Sequence, residues 1–96
     1  KFQLSDDLND RWYFWYENGQ LRTMSDNKTG IYRGYHEDGN IRISGYMKDY
    51  LTDSVWSYFS PSGEIVQQIF YKENIIVDRR IFDTIALEKY FSEEKY

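Results

Sequence analysis

The chain has no cysteine, one proline and one histidine among its 96 residues. Without cysteine there is no disulfide framework and no thiolate metal site. A lone histidine, His36, leaves no Cys/His cluster to hold zinc and reads as a hairpin-edge residue. No apolar run approaches the ~20 residues of a membrane span. Positive charge is in the minority, with 12 Lys and Arg against 16 Asp and Glu, a net charge of −4 and a pI near 4.9. That balance removes the basic footprint on which nucleic-acid affinity rests, and it disfavours an electrostatic grip on anionic lipid. No phosphate loop or Gly-x-Gly-x-x-Gly is present. Ser44, Ser57 and Ser60 have no histidine at a compelling spacing for nucleophilic catalysis. Asp6, Asp7 and Asp10 lack the full spacing of a cation loop and read as a solvated leader. Asn27-Lys28-Thr29, which fits a glycosylation sequon, reads as turn residues. The expectation is a non-enzymatic chain with no catalytic residue, no metal and no cofactor.

What the chain has is aromatic residues, 20% of the total, including ten tyrosines, within an apolar fraction of 41%. Such a composition argues against disorder and suits a thin, half-exposed sheet. The length allows one small domain or a fragment of a longer array, burying roughly 60–68% of its surface.

Three stretches share one pattern: Trp12-Tyr-Phe-Trp-Tyr-Glu-Asn-Gly19-Gln-Leu21, Tyr32-Arg-Gly-Tyr-His-Glu-Asp-Gly39-Asn-Ile41 and Trp56-Ser-Tyr-Phe-Ser-Pro-Ser-Gly63-Glu-Ile65. An aromatic stands seven residues before each glycine, another stands four before it, and an aliphatic follows two after it. Fixed self-similarity of this kind marks a repeat architecture. Each turn is a triplet ending in glycine. Pro61 favours a type I turn at its first central position, so the triplet reads as a three-residue hairpin loop with a left-handed glycine bulge. Gly19, Gly39, Pro61 and Gly63 are therefore structural turn residues. That register sets Trp15 opposite Leu21, Tyr35 opposite Ile41 and Phe59 opposite Ile65, an aromatic–aliphatic pair in each unit. The uniformity marks the face of Trp15, Tyr35 and Phe59 as the packed one. Alternation puts Trp12, Phe14, Tyr32, Trp56 and Tyr58 on the other face, beside Arg22 and Arg42.

The resulting fold class is mainly β. It is an elongated antiparallel meander of consecutive β-hairpin repeats in a single sheet, with a short C-terminal α-helix. Residues 1–10 read as a polar lead-in and 11–82 as three to four hairpin repeats. Residues 83–96 read as a capping segment, its helix over about 84–94 with Asp83 as N-cap. Strands are expected near 11–16, 20–26, 30–36, 40–47, 54–60, 64–71 and 76–82, with a longer entry to the third unit over Lys48 to Ser54.

The phrase Trp-x-x-Tyr/Phe-x-x-x-Gly-x-Ile/Leu, with the link from Gly45-Tyr46 to Trp56-Ser-Tyr58-Phe59, resembles the short bacterial form of MORN repeats over about residues 11–71. A half-unit follows over 70–82. The resemblance implies side-by-side hairpins in a curved sheet. It also implies kinship with YwqK-type antitoxin components, the scaffolding and membrane contact associated with larger MORN proteins, and a bacterial origin. The pattern departs where the glycine before the leading aromatic, kept at Gly30, is replaced by Asp10 or by Ser54-Val55. Trp12-Tyr-Phe-Trp-Tyr-Glu-Asn-Gly19 is also similar to a choline-binding repeat, whose aromatics box a quaternary ammonium by cation–π attraction. Arg33 and Ser57 depart from that second pattern.

The functional expectation is protein–protein interaction, with a cell-surface glycan- or choline-binding module as the alternative. Trp12, Phe14, Tyr32, Arg42, Trp56 and Tyr58 are the candidate partner-binding residues, since Trp, Tyr and Arg dominate interface energies. Edge strands at 11–16 or 76–82 offer a route to self-association. Lys1 in place of Met reads as a processed or trimmed product, which leaves both cell envelope and cytoplasm open.

Overall fold

The computed structural model describes residues 2–6 and 10–91, the side chains of 2–6 excepted. Its strands are β1 (Phe2–Asp6), β2 (Arg11–Trp15), β3 (Leu21–Asp26), β4 (Ile31–Tyr35), β5 (Ile41–Lys48), β6 (Leu51–Phe59), β7 (Ile65–Lys72) and β8 (Ile75–Ile81). One helix follows, α1 (Thr84–Phe91). Every strand pairs antiparallel with its successor, and the order in the sheet is the order in the chain. Short loops leave a strand nowhere to pair except beside the one before it. The meander with a short C-terminal helix is therefore as expected.

The glycine turns have the predicted form. Gly19, Gly39 and Gly63 sit at φ 91°, 96° and 93°, a left-handed region that glycine enters without steric cost. In the first turn the Gly19 N–H donates to the Tyr16 carbonyl at 3.0 Å, and the Tyr16 N–H donates to the Gln20 carbonyl at 2.8 Å. The same two bonds recur at His36, Gly39 and Asn40, and at Ser60, Gly63 and Glu64. The register follows, with Trp15 opposite Leu21, Tyr35 opposite Ile41 and Phe59 opposite Ile65.

Just beyond each pair the ladder skips one residue: Arg22, Arg42 and Val66. These bulge positions matter because their side chains lie on one face. Arg22 stands over the Phe14 ring at 5.9 Å, Arg42 over the Phe91 ring at 4.9 Å, and Val66 packs in the core with Trp56 and Phe91. Opposed residues share a face, so Phe14, Thr23, Gly34, Ile43, Tyr58 and Gln67 form a row on that same side.

Helix α1 covers this side. The Phe82 and Asp83 N–H groups both donate to the Val66 carbonyl, at 2.8 and 3.2 Å, which turns the chain over the sheet. Asp83 caps the helix as predicted, its carboxylate accepting the Ala86 N–H at 3.0 Å. Ala86, Leu87, Tyr90 and Phe91 then close on Ile43, Trp56 and Val66. The packed face is therefore that of Tyr32, Trp56 and Tyr58, the reverse of the expectation that Trp15, Tyr35 and Phe59 form it. Landing of the helix decides the packed face, and uncharged Val66, where the other units carry arginine, permits the landing.

Two further differences concern boundaries. Within the expected lead-in, Phe2–Asp6 is a strand, with Phe2 opposite Trp15 and Leu4 opposite Tyr13. Its alternation of apolar and polar residues is strand-like once the aspartates that follow are set apart. The expected long entry to the third unit is instead a hairpin. β5 and β6 extend to a two-residue turn at Asp49 and Tyr50, with φ 54° and 67°. A matching turn at Glu73 and Asn74 joins β7 to β8, with φ 50° and 72°. The expected helix residues after Phe91 lie outside the described residues.

Candidate functional site

The six candidate residues all lie on the helix side of the sheet. Trp56 is buried, 7% exposed, and its indole N–H donates to the Tyr46 carbonyl at 3.0 Å. Its ring lies tilted by 38° against Tyr32, centroids 5.1 Å apart, and meets the Tyr71 edge at 6.1 Å. Tyr58 packs edge-on against Phe91 at 5.3 Å. Burial and the neighbouring Tyr71 and Tyr32 push the Tyr58 phenol up to about 12. Arg42 lies between sheet and helix, and burial lowers its guanidinium from the ordinary value against the pull of Tyr16, Tyr32 and Tyr58. The structure thus brings Tyr32, Arg42, Trp56 and Tyr58 together on the side that α1 covers, Arg42 and Tyr58 against Phe91 and Tyr32 against Trp56. Trp12 and Phe14 stand apart on β2, outside that cluster and half-buried. The Tyr32–Trp56 pair is closed on itself rather than spread as a cage around a ligand.

The opposite face is covered by no described element. There the three aromatic–aliphatic pairs lie near the glycine turns, one in each hairpin, and each of the six residues is half-buried. Tyr13 extends the group by stacking on Trp15 at 5.9 Å. The sequence reading missed this as the candidate surface because it assigned these pairs to the core. The available signal was the bulge series Arg22, Arg42, Val66, which singles out the third unit as the helix seat.

Side-chain hydrogen bonds stitch each unit to the next along the glycine-turn edge. The Tyr16 hydroxyl donates to the Tyr35 carbonyl at 2.6 Å, and His36 Nε2 donates to the Phe59 carbonyl at 2.8 Å. Asn18 and Asn40 reach the carbonyls of Glu37 and Pro61, at 3.3 and 2.6 Å. A shallow groove of about 390 Å³ opens at this edge between Tyr16, His36, Glu37, Asp38 and Pro61. His36 is committed to the stitch as a hairpin-edge residue. Ser57 accepts from Gln68 at 3.2 Å, and Ser60 bonds Ser62 at 2.9 Å. Among the described residues no group of histidine, aspartate or glutamate is placed to hold a metal ion.

At the other edge Asp26, 6% exposed, sits at the turn between β3 and β4. Its carboxylate accepts from Arg11 Nε at 3.0 Å and from the N–H groups of Lys28 and Thr29 at 2.9 and 3.2 Å. Burial alone would raise its pKa, but these hydrogen bonds outweigh burial and hold it below the ordinary carboxylate range. The site is structural: it closes a hairpin and ties it to β2.

None of the curated proteins or solved structures compared matches significantly. The family model described as MORN repeat variant matches residues 11–25, 28–49 and 53–73, which together span more than half of the chain. The three matched segments coincide with the three glycine-turn hairpins and their links, so the chain belongs to the MORN repeat variant family.

Proposed function

We propose that the chain is a non-enzymatic protein-interaction module whose contact surface is the open face carrying Trp15, Leu21, Tyr35, Ile41, Phe59 and Ile65. One observation carries this reading: three aromatic–aliphatic pairs, one in each hairpin, lie on the face opposite α1. Apolar groups gathered on a rigid sheet and rimmed by the polar turns are the pattern of an interaction surface. Membership of a binding-repeat family supports the same reading. A scaffolding and an antitoxin-like role are the two forms it takes. They part at the partner's activity, which an antitoxin silences and a scaffold leaves intact.

A photo-cross-linking residue at position 35 tests the surface, with position 14 on the helix side as comparison. The reading expects a cross-linked partner protein from position 35, and weaker binding of that protein by Tyr35→Ser at unchanged thermal stability. Cross-links confined to position 14 refute it.

A further inference from the structure

Strand β8 is the most apolar exposed element of the described chain. Ile75, Ile76, Val77, Ile81, Phe82 and, at the start of α1, Ile85 are each between 46% and 81% exposed. They flank the edge on both faces of the strand, Ile76 and Ile81 opposite Tyr71 and Gln67, and Ile75 opposite Lys72 on the other face. β8 is also an edge of the described sheet, with β7 on one side and no described strand on the other.

The edge reads the same in both directions. From Ile76 to Phe82 the order is two apolar residues, Asp78, Arg79, Arg80 and two apolar residues. Laid antiparallel against an identical strand with Arg79 at the centre, each Asp78 faces Arg80 of the other copy. Val77, at the β-bulge, then lies near Ile81 of the other copy. Opposite charges and apolar pairs directly opposed stabilise a ladder, and like charges oppose it. Only Arg79 meets its own kind, and its guanidinium is drawn back to its own sheet by Gln67 at 3.0 Å.

In the isolated chain Asp78 shields this edge. Its carboxylate accepts the Arg79 N–H at 2.8 Å and lies 3.8 Å from Arg80 Nε, with both side chains more than half exposed. Pairing exchanges these exposed contacts for equivalent ones between chains. The bulge at Val77 limits the backbone ladder to residues 78–80, and the apolar flanks meet as side chains.

We infer that β8 is a homodimer interface, formed by antiparallel β8–β8 pairing of two copies about Arg79. This inference concerns the sheet edge, not the open face, and stands or falls independently of what that face binds. Sedimentation velocity over a roughly hundredfold concentration range tests it. The native chain is expected to pass from monomer to dimer mass as concentration rises. Asp78→Arg and Arg80→Asp each set like charges opposite one another and should raise the dimer Kd at least ~10-fold. Mixed in equal amounts, the two variants restore both opposed pairs and should form a heterodimer. Four results would overturn the inference: a native chain monomeric throughout, either variant dimerising as the native chain does, a mixture that stays monomeric, or growth beyond the dimer.

Discussion

Gly45→Ala is the most discriminating single change to the fold. Gly45 faces Tyr32 across β4 and β5, and the Trp56 indole lies flat over the space where its side chain would be. A methyl added there overlaps the indole ring itself, which has no flexible end to give way. If the ring shifts within the core, the cost is that of overpacking, about 1–3 kcal/mol. If the ring leaves, the cost approaches the ~3–5 kcal/mol of deleting a buried tryptophan, and the bond to the Tyr46 carbonyl is lost as well. A domain of this length is stable by only about 5–14 kcal/mol. A loss of 3 kcal/mol would lower Tm by about 12–24 °C. Gly34→Ala is the internal control. Gly34 lies on the same face, and its added methyl would sit 3.5 Å from Ile43 Cβ, an ordinary contact. Relief of glycine's conformational freedom should make that variant neutral or stabilising by up to ~1 kcal/mol. Urea unfolding of both variants, followed by tryptophan fluorescence, measures the difference. Equal effects at the two positions would refute the seating of Trp56 on Gly45.

Val66→Arg restores at the third unit the residue type of the first two. It should release α1, because docking would bury an uncompensated charge at a cost of about 3–5 kcal/mol, with loss of amide-exchange protection at Leu87 and Phe91. Gly39→Ala forces a side chain into left-handed backbone and should cost about 1–2 kcal/mol in urea unfolding, with no effect on helix docking. Tyr58 holds its proton in the folded chain to about 12, against an ordinary value of 10.0. Its contribution is whole below pH 10 and is lost as pH rises through 12, because the unfolded chain ionises first. Stability should fall by up to ~2 kcal/mol over that window, and Tyr58→Phe should flatten the fall. Asp26 works in the opposite direction: its depressed pKa stabilises the fold above the ordinary carboxylate range and is lost on acidification. Asp26→Asn should lessen the acid dependence of the unfolding midpoint.

The register was legible because Pro61 admits one turn type, and the turn type sets every pairing beside it. Asp83 was legible because a capping carboxylate before an apolar helix pattern has few other uses. The packed face was not, because both faces of these strands carry aromatics, and uniform pairing is no measure of burial. What broke the tie was a contact between distant parts of the chain, Val66 receiving the chain at Phe82. Strand β1 was hidden because the aspartates around it dominate a composition that its backbone ignores. The turn at Asp49 and Tyr50 was hidden for another reason: tyrosine seldom takes left-handed backbone, so nothing local announces it. Of the candidate residues, Tyr32, Trp56 and Tyr58 pack in the cluster that α1 closes, while Trp12 and Phe14 stand outside it.

The stitches along the glycine-turn edge set how the array comes apart. Tyr16, Asn18, His36 and Asn40 each spend a donor on a carbonyl of the following unit. A hairpin that melts therefore frees acceptors in its neighbour as well as its own strands. In a one-dimensional stack, such nearest-neighbour terms govern whether units fray singly or fail together. Bracing on this edge ties each of the three hairpins to the next, so unfolding of the three as one block is the expected outcome.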